Sequence, residues 1–69
     1  MIITHEHVGL ECEFVEYMIP DTTSRKVIGR YKIESVDEEL GFFRDSIGYL
    51  HPVDVSDSDD TTATNWEIV

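Results

Sequence analysis

The sequence predicts a mainly β protein, in which residues 1–69 form a single domain built on a small antiparallel sheet that is curled or barrel-like. Three observations support this prediction. Apolar and polar residues alternate with a period of two along several short segments. Residues typical of turns, such as Pro20–Ser24, separate these segments. Hydrophobic residues make up 41% of the chain, and aromatic residues are spread along it, which is typical of a folded chain.

The first half of the chain predicts an antiparallel hairpin. In LECEFVEYMI (residues 10–19), Leu10, Cys12 and Phe14 alternate with glutamates, and the apolar phase then shifts to Val15, Tyr17 and Ile19. A β-bulge near Phe14–Val15 would turn both apolar groups towards the core and leave three glutamates facing outwards: Glu11, Glu13 and Glu16. In KVIGRYKIESV (26–36), the residues predicted to face inwards are Val27, Tyr31 and Ile33, and those predicted to face outwards are Arg30, Lys32 and Glu34.

The remaining segments predict shorter elements. IITHEHV (2–8) is predicted to be a strand. Residues 35–45 fit a short helix, because Ser35 and Glu38 match a capping box, or a turn over Asp37–Gly41. IGYLHPVDV (47–55) predicts a strand that Pro52 either confines to an edge of the sheet or interrupts. TNWEIV (64–69) is expected to close the sheet, with Trp66 and Ile68 in the core.

The charge distribution limits the classes of function that the protein can have. The chain has 15 acidic and 5 basic residues, which give a net charge of −10. All five cations fall between Arg25 and Arg44, so the two ends of the chain supply nearly all the negative excess. Repulsion among these negative charges opposes folding, so the acidic excess needs an explanation. It also argues against direct binding of DNA or RNA, because affinity for nucleic acids comes largely from cations that neutralise phosphates.

The sequence gives little support for a metal site or for catalysis. Asp57, Asp59 and Thr61 match three positions of an EF-hand loop, but Thr62 and Ile68 stand where the loop needs glycine and glutamate. His5, His7 and Cys12 are zinc-ligand types without an evident fourth ligand. No base is spaced to activate Cys12, so we expect no enzyme activity, no metal and no cofactor.

An acidic surface that repels DNA would attract proteins that bind DNA. Outward residues two apart on a strand lie about 6.6 Å apart, whereas one DNA strand carries a charge about every 3.4 Å along the axis. A second acidic row or loop, naturally residues 54–60, could supply the difference. Cross-strand pairs of Glu16 with Arg30 and of Glu13 with Lys32 would neutralise part of the hairpin row. The predicted partner-binding residues are Glu11, Glu13, Glu16, Asp37, Glu38, Glu39, Asp54, Asp57, Asp59 and Asp60.

In its small size and its acidity, the chain resembles the phage-encoded DNA mimics, which include anti-CRISPR, anti-restriction and uracil-DNA glycosylase inhibitor proteins. The resemblance covers overall character and no residue motif. It implies a non-enzymatic inhibitor that occupies the DNA- or RNA-binding site of a basic host nuclease or CRISPR effector subunit.

Two alternatives stay open at this point. The chain fits a small interaction or assembly module that recognises a partner through an apolar edge, with acidity serving solubility. Its acidity also fits adaptation to high salt, although seven isoleucines and a single alanine suit that reading less well. Because the single cysteine excludes an internal disulfide and the N-terminus does not resemble a signal peptide, we expect a cytoplasmic location, in the host cell if the protein is phage-encoded.

Overall fold

The computed structural model describes residues 1–21 and 23–69 and confirms the predicted fold class. One curled, six-stranded antiparallel sheet has the order β4-β3-β2-β1-β6-β5. A single 3-10 turn, His5–His7, precedes it, and its strands are β1 (Glu11–Met18), β2 (Lys26–Asp37), β3 (Phe42–Asp45), β4 (Leu50–Pro52), β5 (Asp57–Ser58) and β6 (Thr62–Ile68). Within the described ranges, no helix has the length and apolar character needed to cross a bilayer.

The predicted hairpin of β1 and β2 is confirmed, and its register shifts between Phe14 and Val15 as expected. The extra residue, however, belongs to β2. Phe14 pairs with Gly29 and Val15 pairs with Val27, so Ile28 is the bulged residue. On its other side β1 pairs with β6 without interruption, and its side chains therefore alternate strictly between the two faces.

This position of the bulge corrects several predicted orientations. Val15 and Tyr17, which were expected to face the core together with Cys12 and Phe14, lie on the opposite face with Glu11 and Glu13. Glu16 shares a face with Cys12 and Phe14, and does not join Glu11 and Glu13 on the outer face. Val27 lies on the outer face and is exposed, because Ile28 shifts the phase of β2. Leu10 and Ile19, which were expected in the core, are also exposed, since both lie just beyond the ends of β1.

Two bulges on β2 curl the sheet. The second is Glu34, because Ile33 pairs with Asp45 while Ser35 pairs with Arg44. A bulge bends its strand and increases the local twist. The curled inner face buries Ile3, Cys12, Ile33, Phe43 and Trp66. Trp66 and Ile68 thus pack as predicted, with Trp66 in the core and Ile68 against it.

The segment between β4 and β5 helps to close the curled sheet. Val53 O accepts a hydrogen bond from Ile3 N (2.9 Å), and Val55 O accepts one from the Thr64 hydroxyl on β6 (2.7 Å). The Trp66 indole N–H donates to Pro52 O at 3.0 Å. β4 is an edge strand, which is one of the two outcomes that the proline at position 52 predicted.

Of the two alternatives for residues 35–45, the short helix is wrong and the turn over Asp37–Gly41 is confirmed. β2 continues to Asp37, a turn follows, and β3 begins at Phe42. Gly41 has φ +79°, a conformation that suits a turn and that glycine adopts readily. The segment 2–8 is not a strand, since Ile2 forms a lone bridge with Asp54 before the 3-10 turn at His5. Of the predicted turn Pro20–Ser24, Thr22 lies outside the described residues.

Candidate functional site: acidic end and inner-face pocket

The ten predicted partner-binding residues do not form one surface. In an antiparallel sheet, the C-terminal end of β2 and the C-terminal end of β1 lie at opposite ends. The turn Asp37–Glu39 therefore lies at one end of the molecule, while the residues that adjoin the end of β1 lie at the other. The longest dimension of the protein is 34 Å, so these two acidic groups form two separate surfaces.

Two of the ten residues are neutralised on the outer face of the sheet. Arg30 Nε donates to Glu11 Oε2 at 2.7 Å. Arg25 reaches both Glu13 (2.6 Å) and Glu67 (2.9 Å), which face each other on β1 and β6. The hairpin face thus carries paired charges, but the pairs differ from those expected: Arg30 binds Glu11 and not Glu16, and Glu13 is bound by Arg25 and not by Lys32. This face contributes little to a negative field.

Four of the ten residues meet at the end of the sheet where β1 ends and β6 begins. We call this group the acidic end: Glu16, Asp57, Asp59 and Asp60. Thr64 on β6 pairs with Glu16 on one side and with Asp57 on the other, so these three residues form one cross-strand row on the inner face. Neighbouring strands lie about 4.8 Å apart. The two carboxylates of this row are therefore about two strand spacings apart.

The acidic end is held in place by its own turn. Asp59 Oδ1 accepts hydrogen bonds from the backbone N–H groups of Thr61 (2.8 Å) and Thr62 (2.7 Å). These bonds, together with those from the two threonine hydroxyls, lower the pKa of Asp59. Ile19 N donates to Thr61 O at 2.8 Å and ties this turn to the end of β1.

One further carboxylate follows β1 at this end, and sequence reasoning did not include it in the site. Asp21 Oδ1 accepts hydrogen bonds from the hydroxyl and the backbone N–H of Thr23, which lower the pKa of Asp21. The D-x-T pattern that Asp21 shares with Asp59 was visible in the sequence and could have indicated it.

Lys26 lies opposite Glu16 and adds a cation to the row of Glu16, Thr64 and Asp57. Within the described chain, no ion pair joins Lys26 to Glu16.

The opposite acidic turn holds Asp37, Glu38 and Glu39. Asp37 Oδ1 accepts a hydrogen bond from Leu40 N (3.0 Å) and shapes the turn. Glu38 pairs with His5 of the 3-10 turn, which raises the pKa of His5 and lowers that of Glu38.

Asp54 belongs neither to the acidic end nor to the turn Asp37–Glu39. It lies in the segment before β5, and a hydrogen bond from Ser56 N (2.9 Å) lowers the pKa of its carboxyl.

The three residues considered for zinc do not meet. His7 Nδ1 accepts a hydrogen bond from Thr4 N (2.9 Å), while His5 contacts Glu38. Cys12 is fully buried, and burial raises the pKa of its thiol to about 11. Across residues 1–21 and 23–69, no group of three or more histidine, cysteine and carboxylate side chains is arranged to hold a metal ion.

The inner face carries an aromatic pocket that sequence reasoning missed. It encloses about 260 Å³, and its lining residues are Phe14, Tyr31, His51, Pro52, Val55 and Trp66. The Tyr31 and His51 ring centroids lie 4.3 Å apart, and those of Phe14 and Trp66 lie 5.5 Å apart. A Cβ atom at Gly29 would lie 2.4 Å from the Tyr31 hydroxyl oxygen, so the Tyr31 ring lies over Gly29. In the sequence, Gly29 within an otherwise β-favouring segment was the feature that could have indicated such a close approach.

A buried carboxylate fixes one wall of this pocket. Asp45 is 2% exposed and contacts His51 Nε2 through Oδ2 at 2.7 Å. Its other oxygen accepts hydrogen bonds from the backbone N–H groups of Ile47 and Tyr49, each at 3.0 Å. Burial alone would raise the pKa of Asp45, but the bonds from His51, Tyr49 and Ile47 outweigh it and lower the pKa. A carboxylate here requires His51 Nε2 to donate, which fixes the orientation of the imidazole.

Comparison with known proteins adds no relative: no family model matches the chain, and neither the curated proteins nor the solved structures contain a match.

Proposed function

We propose that the protein is a non-enzymatic acidic binding module that occupies the basic, nucleic-acid-binding surface of a nuclease or another nucleic-acid-handling protein in the cytoplasm. The observation that carries this proposal is the acidic end. Its four carboxylates form no ion pair among the described residues, whereas the glutamates of the hairpin face are paired with arginines.

The acidic end suits this role because hydrogen bonds and strand pairing hold its backbone. Asp59 organises the turn, and the β1–β6 pairing fixes Glu16 and Asp57 in one row. Groups that are already in place lose little conformational entropy on binding. A compact negative surface also steers a basic partner towards it, and this attraction weakens as salt rises.

The proposal is tested by capture from a bacterial lysate with immobilised protein, followed by elution with duplex DNA. The triple variant Glu16→Gln, Asp57→Asn, Asp60→Asn removes three charges from the acidic end and leaves Asp59, which holds the turn, in place. We expect the native protein to retain DNA-binding proteins that duplex DNA releases, and the variant to lose them. Retention that resists both duplex DNA and about 0.5 M salt, at which the Debye length is only roughly 4 Å, would contradict the proposal.

A matched control variant is available at the other end of the molecule. Glu6, Glu34 and Glu39 are exposed, and in the described part of the chain their side chains make no hydrogen bond. Changing all three to glutamine removes the same number of charges. Capture that survives this control but not the acidic-end variant assigns binding to the acidic end rather than to net charge.

A second candidate function rests on an apolar groove on the outer face. The groove encloses about 300 Å³ beside the edge of the sheet, and Leu40, Phe42 and Leu50 contribute its apolar lining. Leu40 is 72% exposed and Leu50 is 58% exposed. These residues fit an interaction module that binds an apolar partner surface. Under that function, Leu50→Ser would abolish capture, and the acidic-end variant would leave it unchanged.

A further inference from the structure

We propose that the aromatic pocket on the inner face binds the guanidinium group of an arginine side chain from the partner protein. The inference deepens the proposed function and rests on it for the identity of the partner, while the pocket itself is open to direct measurement with short peptides.

The size and lining of the pocket suit one side chain. A volume of about 260 Å³ lies below the range of roughly 300–1,000 Å³ for sites that take drug-sized ligands. The aromatic rings in its lining carry negative electrostatic potential on their faces and therefore attract cations. Arginine suits such a site better than lysine, because its planar guanidinium stacks on aromatic rings and is more weakly hydrated.

Three of the rings that line the pocket, those of Tyr31, Trp66 and His51, are held by specific contacts. Gly29 lets the Tyr31 ring lie against the sheet, since a side chain at this position would collide with it. The bond from Trp66 to Pro52 O holds the indole, and Asp45 holds the imidazole of His51. A preorganised pocket of this kind binds without first ordering its own side chains.

The neighbouring acidic row supplies the charge complementarity. Glu16 follows Phe14 by two residues on the same face of β1, and Thr64 precedes Trp66 by two residues on β6. The row of Glu16, Thr64 and Asp57 therefore lies next to the pocket, about 6.6 Å along the strands. A guanidinium in the pocket would lie near two carboxylates, which are its preferred partners. Among the described residues that pair across this row, Lys26, opposite Glu16, is the one cation.

The test is a titration of the ¹⁵N-labelled full chain with acetyl-Gly-Arg-Gly-amide, followed by NMR. Citrulline in place of arginine gives a neutral peptide of nearly the same shape. We expect the indole N–H signal of Trp66, the sole tryptophan, to shift saturably with a Kd on the order of 1–10 mM. The citrulline peptide should bind at least about tenfold more weakly, because it lacks the cation.

Two variants locate the binding. Glu16→Gln should weaken arginine binding by about threefold, and Glu39→Gln, at the opposite end, should leave it unchanged. Tyr31→Leu should abolish it while the amide spectrum remains dispersed. The proposal is overturned by equal binding of both peptides, by no saturable shift, or by arginine binding that Glu16→Gln leaves unchanged. If the peptide fails while the acidic-end variant still loses its captured partner, the pocket assignment falls and the proposed function stands.

Discussion

At the scale of single residues, Gly29 and Asp59 show how local chemistry shapes the two parts of the site. Position 29 requires glycine, because the Tyr31 ring occupies the space that a Cβ atom at this position would fill. Asp59 is needed as an acceptor, because its carboxylate serves two backbone N–H groups and two hydroxyls of the following threonines. The first residue shapes the pocket, and the second shapes the acidic end.

We predict that Gly29→Ala displaces the Tyr31 ring and lowers the free energy of unfolding by about 1–2 kcal/mol, because overpacking forces a neighbour to move. Urea denaturation measures the loss, and near-UV circular dichroism reports the ring. In a Tyr31→Leu background the same substitution should cost less, since the colliding ring is absent. An equal cost in both backgrounds would show that the two residues are not coupled.

We predict that Asp59→Ala lowers the Tm at pH 7 by roughly 5 °C, because the turn loses its acceptor. The pKa of Asp59 is lowered in the folded state from 3.8, so its stabilising contribution is full above pH 3.8 and is lost as the pH falls through the folded-state value. The difference in Tm between variant and native protein should therefore shrink below pH 3.8. Asp60→Ala is the control, and a difference that grows on acidification would refute the assignment.

At the scale of elements, the register of β2 decides which carboxylates remain unpaired. The bulge at Ile28 places Lys26 beside Glu16 on the inner face and leaves Arg25 to pair with Glu13 and Glu67 outside. The sequence predicted the hairpin, the edge strand β4 and the burial of Trp66, because alternation and proline placement are local signals. Sequence reasoning placed the extra residue on β1, because it took the change of apolar phase at Phe14–Val15 as a change of face. In the structure β1 alternates without interruption, and that change of phase reflects apolar residues on both of its faces.

We predict that Arg25→Gln lowers the free energy of unfolding by about 0.5–1 kcal/mol, because Glu13 and Glu67 then face each other without a cation. The loss should be larger at low salt, and chemical denaturation at two salt concentrations measures it. Lys32→Gln removes an equal charge and should cost less, because Lys32 forms no ion pair within the described residues. Adding Glu67→Gln to Arg25→Gln should restore stability, and failure to do so would contradict the bridging role.

At the scale of the whole molecule, the acidity is divided between two ends that act separately. The Debye length is about 10 Å at 0.1 M salt, which is well below the 34 Å length of the protein. The sequence identified the acidic segments but could not place them, because their grouping depends on strand order. The inner-face pocket also depends on strand order, since β1, β2, β4 and β6 all contribute to its lining.

We predict that added salt raises the Tm of the native protein, because screening reduces the repulsion within each acidic group. The acidic-end triple variant should have a higher Tm than the native protein at low salt and a weaker dependence on salt. Thermal melts between 20 and 500 mM salt, on the order of a twenty-five-fold range, measure both effects. A Tm of the native protein that does not respond to salt would show that this repulsion is negligible.

We propose that the acidic end is the surface that binds the partner. The dissociation constant of a purified captured partner, measured for the native protein and for the two triple variants, tests this proposal. We expect the acidic-end variant to bind about tenfold more weakly or worse, and the control at Glu6, Glu34 and Glu39 to change the constant by less than about twofold. Equal weakening by both variants, or no weakening by the acidic-end variant, would contradict it.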